Sequence, residues 1–449
     1  MKPTAYLAGL SALAVVAPAY ADVTVNVTGA TAFRAAALDA IKAAFVASGQ
    51  PFKFAHDKAT SGGTTYNGAT RSIWIGTFPG VAGTTTIRTC FSGSVEGIRS
   101  ISGATDTAPP TYYQSSLLAG TTAVVGGAEL ANQGTTGAAT DTSHVAYSDV
   151  SKASTPYASY SLQPSSPNAG VIVFTMIANN GSTITNVTSQ QFRAIMAQPQ
   201  PLSLFDGNPA HTSLVYGTGR NDGSGTRTTY LAETGYGIVN TVKQYVMLTS
   251  SGNAMSAIQM VPAGGVNSPV QTGQNTAYAS TIWGQDVAGN GGYSSGGGVA
   301  TALQKTGGSV TVYNSNYVDS FGSPQHVDLV SWLSVNDAVS AINNGGTYAT
   351  NSGAVMCAFN GVSLSDVAVA AQTSSSAVMS SNDKAKVVNG LYTAWGYERM
   401  YCKNDSYTGD IKTVFDYIKA EVPTHLASAG LALTDMAVSR PSDGGTVAP

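Results

Sequence analysis

One short polar segment, residues 219–227, combines residue types that bind anions. Its sequence is Gly-Arg-Asn-Asp-Gly-Ser-Gly-Thr-Arg, and a helical pattern follows over about 226–233. Glycines let a backbone approach a ligand closely, and a Ser or Thr at a helix start caps N–H groups that favour an anion. An Arg just before them can donate to two oxygens at once. The segment predicts half of an oxyanion site, although surface turns that end in an N-cap have a similar composition.

Three other segments place hydroxyls or backbone N–H groups at strand ends. They are residues 29–33, residues 93–97 and the pair Ser148-Asp149, and each lies where a strand pattern gives way to a turn or a helix. Ligands of open α/β sheets bind at the carboxyl ends of strands. Four such turns that meet across a cleft would surround a small tetrahedral oxyanion with donors.

Motifs for enzymatic chemistry are scarce in the sequence. It contains no H-E-x-x-H motif, no Walker A motif and no glycine triplet of a dinucleotide-binding turn. The dispersed histidines lack metal-ligand spacing and are typical of surface or capping groups: His56, His144, His211, His326 and His425. His144 precedes Asp149 by five residues, which leaves open that it lines the cleft. We expect no catalytic residue, no metal and no cofactor.

The composition favours an exported protein and argues against a nucleic-acid partner. Charged residues make up only 10% of the chain, the formal net charge is −3, and no basic stripe is present. Lys2, the apolar run 6–16 and the sequence Ala19-Tyr20-Ala21 predict a signal peptide over residues 1–21, cleaved after Ala21. The apolar run is too short to span a membrane. The protein is therefore expected in the periplasm or outside the cell.

The cysteine count is odd, with Cys90, Cys357 and Cys402. In an oxidising compartment one pair could close and one thiol would remain. The pair Cys357–Cys402 is the first disulfide to test, since the sequence itself does not fix the pairing.

Strand and helix patterns alternate along the chain and predict α/β layers. The expected strands are 22–27, 72–78 and 84–91 as a hairpin, 145–149, 169–178 as a buried parallel strand, 214–216, 309–313 and 354–359. The expected helices are 32–47, 93–98, a short one within 117–131, 188–197, 226–233, 240–248, 254–260, 299–305, 334–343 and 410–422.

The polar turns, taken in order, resemble the phosphate-binding substrate-binding proteins of ABC importers, which have the type II periplasmic binding protein fold. The matching segments are 28–33 (Thr-Gly-Ala-Thr-Ala-Phe), 93–98 (Gly-Ser-Val-Glu-Gly-Ile), 148–149 (Ser-Asp), 220–226 (Arg-Asn-Asp-Gly-Ser-Gly-Thr) and 390–398 (Gly-Leu-Tyr-Thr-Ala-Trp-Gly-Tyr-Glu). The fourth segment is similar to the family's R-x-D-G-S-G-T. Two departures stand in the opposite lobe: Ala32 replaces a Thr, and Val95-Glu96 replaces small residues.

The resemblance implies a set of ligand-binding residues: Thr31, Phe33, Ser94, Ser148, Asp149, Arg220, Asp222, Ser224, Gly225 and Thr226. Arg220 would clamp the anion and be held by Asp222, while Ser94 would add a hydroxyl from the other lobe. Asp149 would accept the proton of a protonated phosphate. Because a carboxylate repels an anion that carries no proton, Asp149 would select phosphate over sulfate.

We therefore predict a two-lobed α/β protein of the type II periplasmic binding class. Each lobe would be a mixed sheet flanked by helices, with two crossover strands between the lobes. Lobe one would comprise residues 22–172 and 318–449, with a frayed tail after about 433, and lobe two residues 173–317.

The predicted function is non-enzymatic capture of phosphate for import, by a monomer whose partner is an ABC permease. An exported surface or matrix protein that keeps this fold with a drifted or different anion site is the alternative, motivated by the low charge and the long Thr- and Gly-rich loops.

Overall fold

The computed structural model describes residues 21–63, 65–104, 109–263, 287–315, 324–344, 353–375, 377–426 and 430–449, and the backbone of residues 276–277. The predicted signal peptide, apart from Ala21, lies outside the described residues. Among the described residues, none of the helices has the length and hydropathy needed to cross a bilayer.

Helices and strands alternate through the described chain. The helices are α1 Arg34–Ala47, α2 Ser94–Ser102, α3 Ser189–Ala197, α4 Ser203–Asp206, α5 Gly225–Glu233, α6 Gly296–Leu303, α7 Val335–Ile342, α8 Ser365–Ala371, α9 Ser381–Val388 and α10 Gly409–Glu421. The first strands are β1 Val23–Gly29, β2 Phe52–His56, β3 Arg71–Thr77, β4 Thr84–Cys90, β5 Thr111–Tyr113, β6 Ala128–Leu130, β7 Ala138–Thr140, β8 Val145–Ser148, β9 Leu162–Gln163, β10 Asn168–Ala178 and β11 Asn186–Val187. The remaining strands are β12 Gln200–Pro201, β13 Leu214–Gly217, β14 Tyr245–Ser251, β15 Ala254–Met260, β16 Thr276–Ala277, β17 Gly292–Tyr293, β18 Thr311–Tyr313, β19 Val327–Ser334, β20 Val355–Phe359, β21 Trp395–Lys403 and β22 Gly430–Leu431.

A large mixed sheet, flanked by helices, organises these elements, as the sequence predicted for the fold class. Its central order is β12-β13-β19-β10-β21-β8-β1-β4-β3-β2-β6. Strand β1 pairs in parallel with β4 and β8, whereas β3 and β4 form the predicted antiparallel hairpin. The carboxyl ends of β1 and β8 thus meet at one edge, where residues 29–33 and 148–149 begin.

Strand β10 is antiparallel to each of its partners in the described sheet, so the parallel strand predicted for residues 169–178 is wrong in direction. A continuous apolar run indicates burial on both faces but carries no information on the direction of the neighbours. The partner of β10 also changes along its length. Val173 pairs with Trp395 of β21, and Phe174 pairs with Ser334 of β19.

Strand β10 connects two large apolar clusters, since Ala169 belongs to one and Val171 to the other. The N-terminal core contains buried residues of α1, β2, β3 and α10, with Phe45 and Trp74 fully buried. The central core contains buried residues of α3, β13, α6, β19 and β20, with Trp332 fully buried. Strands β10 and β21 run between the two: Trp395 of β21 belongs to the central core, and Cys402 to the N-terminal core.

Helix α1 forms as its sequence predicts. Ala37, Ile41 and Ala44 recur at helical spacing and are fully buried, and Leu38 and Phe45 widen the buried face. The expectation of helices at 240–248 and 254–260 is wrong, because residues 245–260 form the antiparallel hairpin of β14 and β15. Short apolar runs do not distinguish a strand from a buried helix, and Gly252, at a φ of 55°, makes the turn between the strands. The short helix expected within 117–131 is replaced by a 3-10 turn at Ser115–Leu118 and by β6.

No disulfide joins Cys357 and Cys402, the pair that the sequence analysis put first for testing. All three cysteines are buried free thiols. Cys357 lies in β20 within the central core, while Cys402 lies in β21 within the N-terminal core. Folding places the two thiols in separate apolar clusters, which their spacing in the sequence does not reveal.

The C-terminal tail is anchored, so the fraying expected after residue 433 is wrong. Arg440 is 5% exposed and donates a 2.7 Å hydrogen bond from Nη1 to Oε2 of Glu233. Asp443 accepts a 2.9 Å bond from Arg399 and a 2.7 Å bond from the backbone N–H of Ser151. The polar and Gly-rich composition of the tail does not predict these ion pairs, because their partners are distant in the sequence.

Candidate anion-binding site

The start of helix α5 is the polar segment that the sequence analysis singled out. Ser224 is the N-cap, and its hydroxyl accepts a 3.5 Å bond from the backbone N–H of Arg227. Gly225 and Thr226 form the first turn, and both are buried. The N–H groups of a first helical turn have no partner within the helix and carry a partial positive charge.

Asp149 brings its carboxylate to this helix start from the end of β8. It is 1% exposed, and its Oδ2 accepts a 3.3 Å bond from the hydroxyl of Thr226. The hydroxyl of Ser94, at the start of α2, donates to Oδ1, and the backbone N–H of Asp149 donates back to Ser94 Oγ over 3.3 Å. Burial raises the pKa of Asp149, while Ser94 and Arg220 lower it.

Gly225 is required where it stands because of this carboxylate. A Cβ atom at this position would lie 1.6 Å from Oδ1 of Asp149 and 2.5 Å from Oγ of Ser94. A side chain there would push β8 and α2 away from α5. The glycine therefore sets how closely the three elements meet.

Arg220 is the buried cation of the site, with an exposure of 1%. Its Nε donates to the carbonyl of Tyr293 over 3.2 Å and its Nη2 to the carbonyl of Ser294 over 2.9 Å. Its Nη1 donates to Oγ1 of Thr31 over 3.1 Å. Burial lowers the pKa of Arg220 to about 10, and the charges of Asp337 and Asp149 counteract this.

These bonds add partners that the resemblance does not imply. The guanidinium of Arg220 donates to two backbone carbonyls and a threonine hydroxyl. Asp222 is itself buried, at 1% exposure. Strand β17, which supplies the Tyr293 carbonyl, lies far along the chain from Arg220 and gave no signal in the sequence.

The starts of α2 and α5 touch directly. The carbonyl of Gly223 accepts a 3.1 Å bond from the N–H of Val95 and a 3.2 Å bond from that of Glu96. Gly93, at a φ of 122°, packs so tightly that a Cβ atom would lie 2.5 Å from the Gly223 oxygen. Helix α2 contacts the N-terminal side of the sheet, and α5 belongs to the central core. These bonds therefore join the two sides, and we call the contact of α2 and β8 with α5 the seam.

Glu96, which departs from the pattern of the family that the sequence resembles, has its charge neutralised within α2. Its carboxylate accepts two hydrogen bonds from the Arg99 guanidinium, one of them 2.9 Å from Nε to Oε2. The Arg99 side chain is 3% exposed. The pair lies within one helical turn, so Glu96 is directed to Arg99 rather than left as an isolated anion beside Asp149.

Three further sequence candidates have other roles in the structure. The hydroxyl of Ser148 donates 2.7 Å to the carbonyl of Val150, and so closes a local turn. Phe33 is the N-cap of α1 and packs with a ring-centroid distance of 6.0 Å against Tyr147. The suggestion that His144 lines the cleft is wrong, because it lies at the opposite end of β8 from Asp149 and its Nδ1 accepts a 3.0 Å bond from the N–H of Asn26.

Glu398 is a buried acid that sequence reasoning did not connect to the site. It is fully buried on β21, and neither carboxyl oxygen has a hydrogen-bond partner within the described residues. Its neighbour in sequence, Arg399, pairs with Ser148 across the sheet. Burial raises the pKa of Glu398 well above its usual value, and the charge of Asp149 raises it further. The protonated form of Glu398 therefore fits this environment best.

One motif match was overlooked in the sequence. Residues 292–296 (Gly-Tyr-Ser-Ser-Gly) fit the G-x-S-x-G pattern of hydrolase nucleophile turns, and Ser294 lies between β17 and α6. The histidines that would supply the base hydrogen bond elsewhere, namely to Glu129, Asn26, Asp206, Asp328 and Glu421. The geometry thus forms no serine–histidine pair at this turn.

The fold and the site together define a mixed α/β protein with a buried, polar, doubly charged centre at the seam between two cores. No family model matches the chain, and no curated protein matches it in sequence.

Similar solved structures include three phosphate-related proteins. One, from Clostridium perfringens, is assigned to the substrate-binding proteins of phosphate ABC transporters and was solved with bound phosphate; it is 12% identical, with a TM-score of 0.38, over 91% of this chain and 99% of that one. An ABC-type phosphate transport receptor from Vibrio cholerae is 12% identical, with a TM-score of 0.38, over 90% and 97% of the two chains. A phosphate-binding protein from Stenotrophomonas maltophilia is 14% identical, with a TM-score of 0.35, over 90% and 83%.

Proposed function

We propose that this protein captures phosphate, without chemical conversion, at the seam formed by α2, β8 and α5. The observation that carries the proposal is the burial of both Arg220 and Asp149 at this seam, where Arg220 donates to Thr31 and Asp149 accepts from Ser94 and Thr226. The hydroxyls of Ser94, Thr226 and Thr31 surround the two charges. A buried cation, several donors and one acceptor are what a partly protonated tetrahedral anion requires.

Asp149 gives the site a means of selecting phosphate. When ionised, it accepts a hydrogen bond from a phosphate hydroxyl, whereas sulfate offers no proton and is repelled. Hydrogen bonds to charged groups contribute about 1.5–3 kcal/mol each. A few of them suffice to hold a small anion after the costs of ordering it.

We further propose that the two cores are the two lobes of a binding protein. Strand β10 has Ala169 in the N-terminal core and Val171 in the central core, and β21 runs from Trp395 in the central core to Cys402 in the N-terminal core, so these strands would act as crossovers. In this proposal the chain returns to the first lobe after Trp395, whereas the sequence prediction set the return at 318; β19 and β20 contribute buried residues to the central core. Opening would break the bonds from Val95 and Glu96 to Gly223 and expose the site.

An exported location, a monomeric state and delivery to an ABC permease complete the proposal. They rest on the predicted signal peptide and on the ordered motifs, and a permease and an ATPase encoded beside this gene would support them.

Titration calorimetry with phosphate, arsenate and sulfate tests the function. We expect heat with phosphate and arsenate and much weaker binding of sulfate. Arg220→Ala should weaken phosphate binding about 100-fold, since truncating a buried charge costs about 2–5 kcal/mol. Arg193→Ala is the matched control, because Arg193 is a surface arginine whose Nη1 donates to the Thr234 carbonyl.

A second candidate, a surface or matrix protein with a drifted site, is favoured by one observation. The hydroxyls of Ser94 and Thr226 already bond to Asp149, so the carboxylate itself meets the donors at the start of α5. Absence of heat with every oxyanion, in protein shown to be folded by circular dichroism, would contradict capture and support this candidate.

A further inference from the structure

We propose that the ligand of this cleft is a small hydroxylated phosphomonoester, whose body occupies a polar cavity beside Arg220. The inference rests on the proposed function, because it places the phosphoryl group at the Arg220 site. It goes further by assigning a second part of the ligand to a cavity whose lining residues, apart from Thr31, lie outside the predicted set.

The cavity has a volume of about 290 Å³ and lies between the two sides of the seam. Thr31, Arg34 and Lys58 line it from the N-terminal side, and Ser295, Gly297 and Asp337 from the central side. A water molecule takes about 30 Å³ of liquid volume, so the space holds far more than one tetrahedral anion. It lies close to the lower limit of small-molecule pockets, about 300 Å³.

The cavity adjoins the hydrogen-bond partners of Arg220. Thr31, which accepts the Nη1 bond of Arg220, is also a wall residue of the cavity. Ser294, whose carbonyl accepts the Nη2 bond, directly precedes the wall residue Ser295. An anion held by Arg220 can therefore direct a substituent into this space without crossing another element.

The walls define the chemistry of that substituent. The described lining residues are charged, hydroxylated or glycine, and none carries an aromatic ring or a wholly apolar side chain. A base would find no aromatic ring to stack on there, and an acyl chain would meet only the stems of Arg34 and Lys58 and the threonine methyl groups. Hydroxyl groups, in contrast, would find both donors and acceptors.

Two cations and one acid give this surface a net positive charge suited to a phosphomonoester anion, whose singly protonated form still offers Asp149 a hydroxyl. Burial lowers the pKa of Arg34, and the nearby charge of Asp337 counteracts that effect. Burial raises the pKa of Asp337, while Arg220 and Arg34 lower it. Asp337 also accepts a 3.0 Å bond at Oδ2 from Ser334. This acid therefore couples the cavity electrostatically to Arg220 and offers an acceptor for a ligand hydroxyl.

A single glycine allows the cavity to be filled without disturbing Arg220. A Cβ atom on Gly297 would meet only Oγ of Ser295, at 3.9 Å, whereas one on Gly296 would lie 1.9 Å from Oδ2 of Asp337. Gly297→Leu should therefore fold, and leucine favours the helix over glycine by about 1 kcal/mol. Gly308→Leu is the matched control, since Gly308 is exposed and a Cβ there meets nothing within 4 Å.

Calorimetry with inorganic phosphate, glycerol 3-phosphate, glucose 6-phosphate, glycerol and glucose tests the inference. We expect at least one ester to bind about tenfold more tightly than inorganic phosphate, a difference of about 1.4 kcal/mol. Gly297→Leu should remove this advantage and leave the Kd for inorganic phosphate within about twofold, while Gly308→Leu changes neither.

The outcomes separate the two proposals. If inorganic phosphate binds and requires Arg220, but neither ester binds more tightly or Gly297→Leu has no selective effect, the cavity inference is overturned and the proposed function stands. If the unphosphorylated polyols compete as well as the esters, the phosphoryl anchor is wrong. If neither inorganic phosphate nor either ester binds, both proposals fail.

Discussion

Arg220 donates a 3.1 Å hydrogen bond to the hydroxyl of Thr31, a residue 189 positions earlier in the chain. Thr31 follows β1 on the N-terminal side of the seam, while Arg220 follows β13 on the central side. The bond therefore joins the two sides at the proposed ligand site. It also fixes the position of Nη1 of the guanidinium.

Removal of this hydroxyl should loosen the site. Thr31→Val keeps the shape of the side chain but leaves one donor of a buried guanidinium without its acceptor, at a cost of about 1–3 kcal/mol. We expect a loss of this size in the free energy of unfolding by urea, together with weaker phosphate binding. Thr84→Val, at an exposed position of β4, is the control, and equal effects of the two substitutions would contradict a special role for Thr31.

The buried acid Glu398 should make stability depend on pH. Its pKa is raised in the folded state, so the folded protein holds a proton that the unfolded chain releases. Stability should therefore be greatest near or below the unfolded pKa of about 4.3 for glutamate and fall as the pH rises towards the folded pKa, with a slope of up to about 1.4 kcal/mol per pH unit.

Glu398→Gln should remove this contribution. We expect the variant to lose part of the decline in stability at pH values above the unperturbed glutamate pKa of about 4.3. Asp410→Asn, at an exposed position in α10, serves as the control. An unchanged pH profile in Glu398→Gln would show that Glu398 is ionised and paired in solution.

The choice between phosphate and sulfate should depend on the protonation of Asp149. Burial raises the pKa of this carboxyl, so it gains a proton at a higher pH than an exposed aspartate. A protonated carboxyl can donate to either anion, and the selectivity should therefore decrease as the pH is lowered. Competition titrations across pH 5–8 check this, and Asp149→Asn should be poorly selective at every pH. If Asp149→Asn instead prefers phosphate over sulfate as strongly as the unaltered protein does, another group provides the discrimination.

The anchored C-terminal tail should contribute strongly to stability. The ion pair of Arg440 with Glu233 is almost fully buried, at side-chain exposures of 1% and 8%, and the guanidinium also lies 4.2 Å from the Trp395 ring centroid. Breaking a buried pair from one side costs about 3–5 kcal/mol. We expect a loss of that order for Arg440→Ala in urea unfolding.

A surface pair provides the comparison for this measurement. Lys412 and Asp416 form an ion pair in α10 with side-chain exposures of 46% and 42%. Lys412→Ala should cost no more than about 1 kcal/mol. If Arg440→Ala costs equally little, the tail is not fastened in solution as it is in the structure.

Interactions within one turn of the chain were accessible from the sequence alone. The Ser224 cap of α5 and the apolar stripe of α1 depend on residues three or four positions apart, so their spacing is enough to predict them. The strand–turn pattern at 72–91 likewise predicted the β3–β4 hairpin. The local sequence of residues 219–227 is therefore enough to predict an anion site, without any long-range contact.

Partners distant in the sequence were decided by the tertiary structure. The carbonyls of Tyr293 and Ser294 hold Arg220, and nothing in the local pattern of either segment reveals that contact. The direction of β10 and the hairpin of β14 and β15 also depend on which neighbours are available for hydrogen bonding, not on apolar character. The pKa shifts of Glu398 and Arg34 also depend on the tertiary structure. Packing buries Glu398 near the charge of Asp149 and Arg34 near the charge of Asp337. The sequence and its local spacing thus determined which residue types are available for the site. Only the packing of the two cores decided which charged side chains lie close together there.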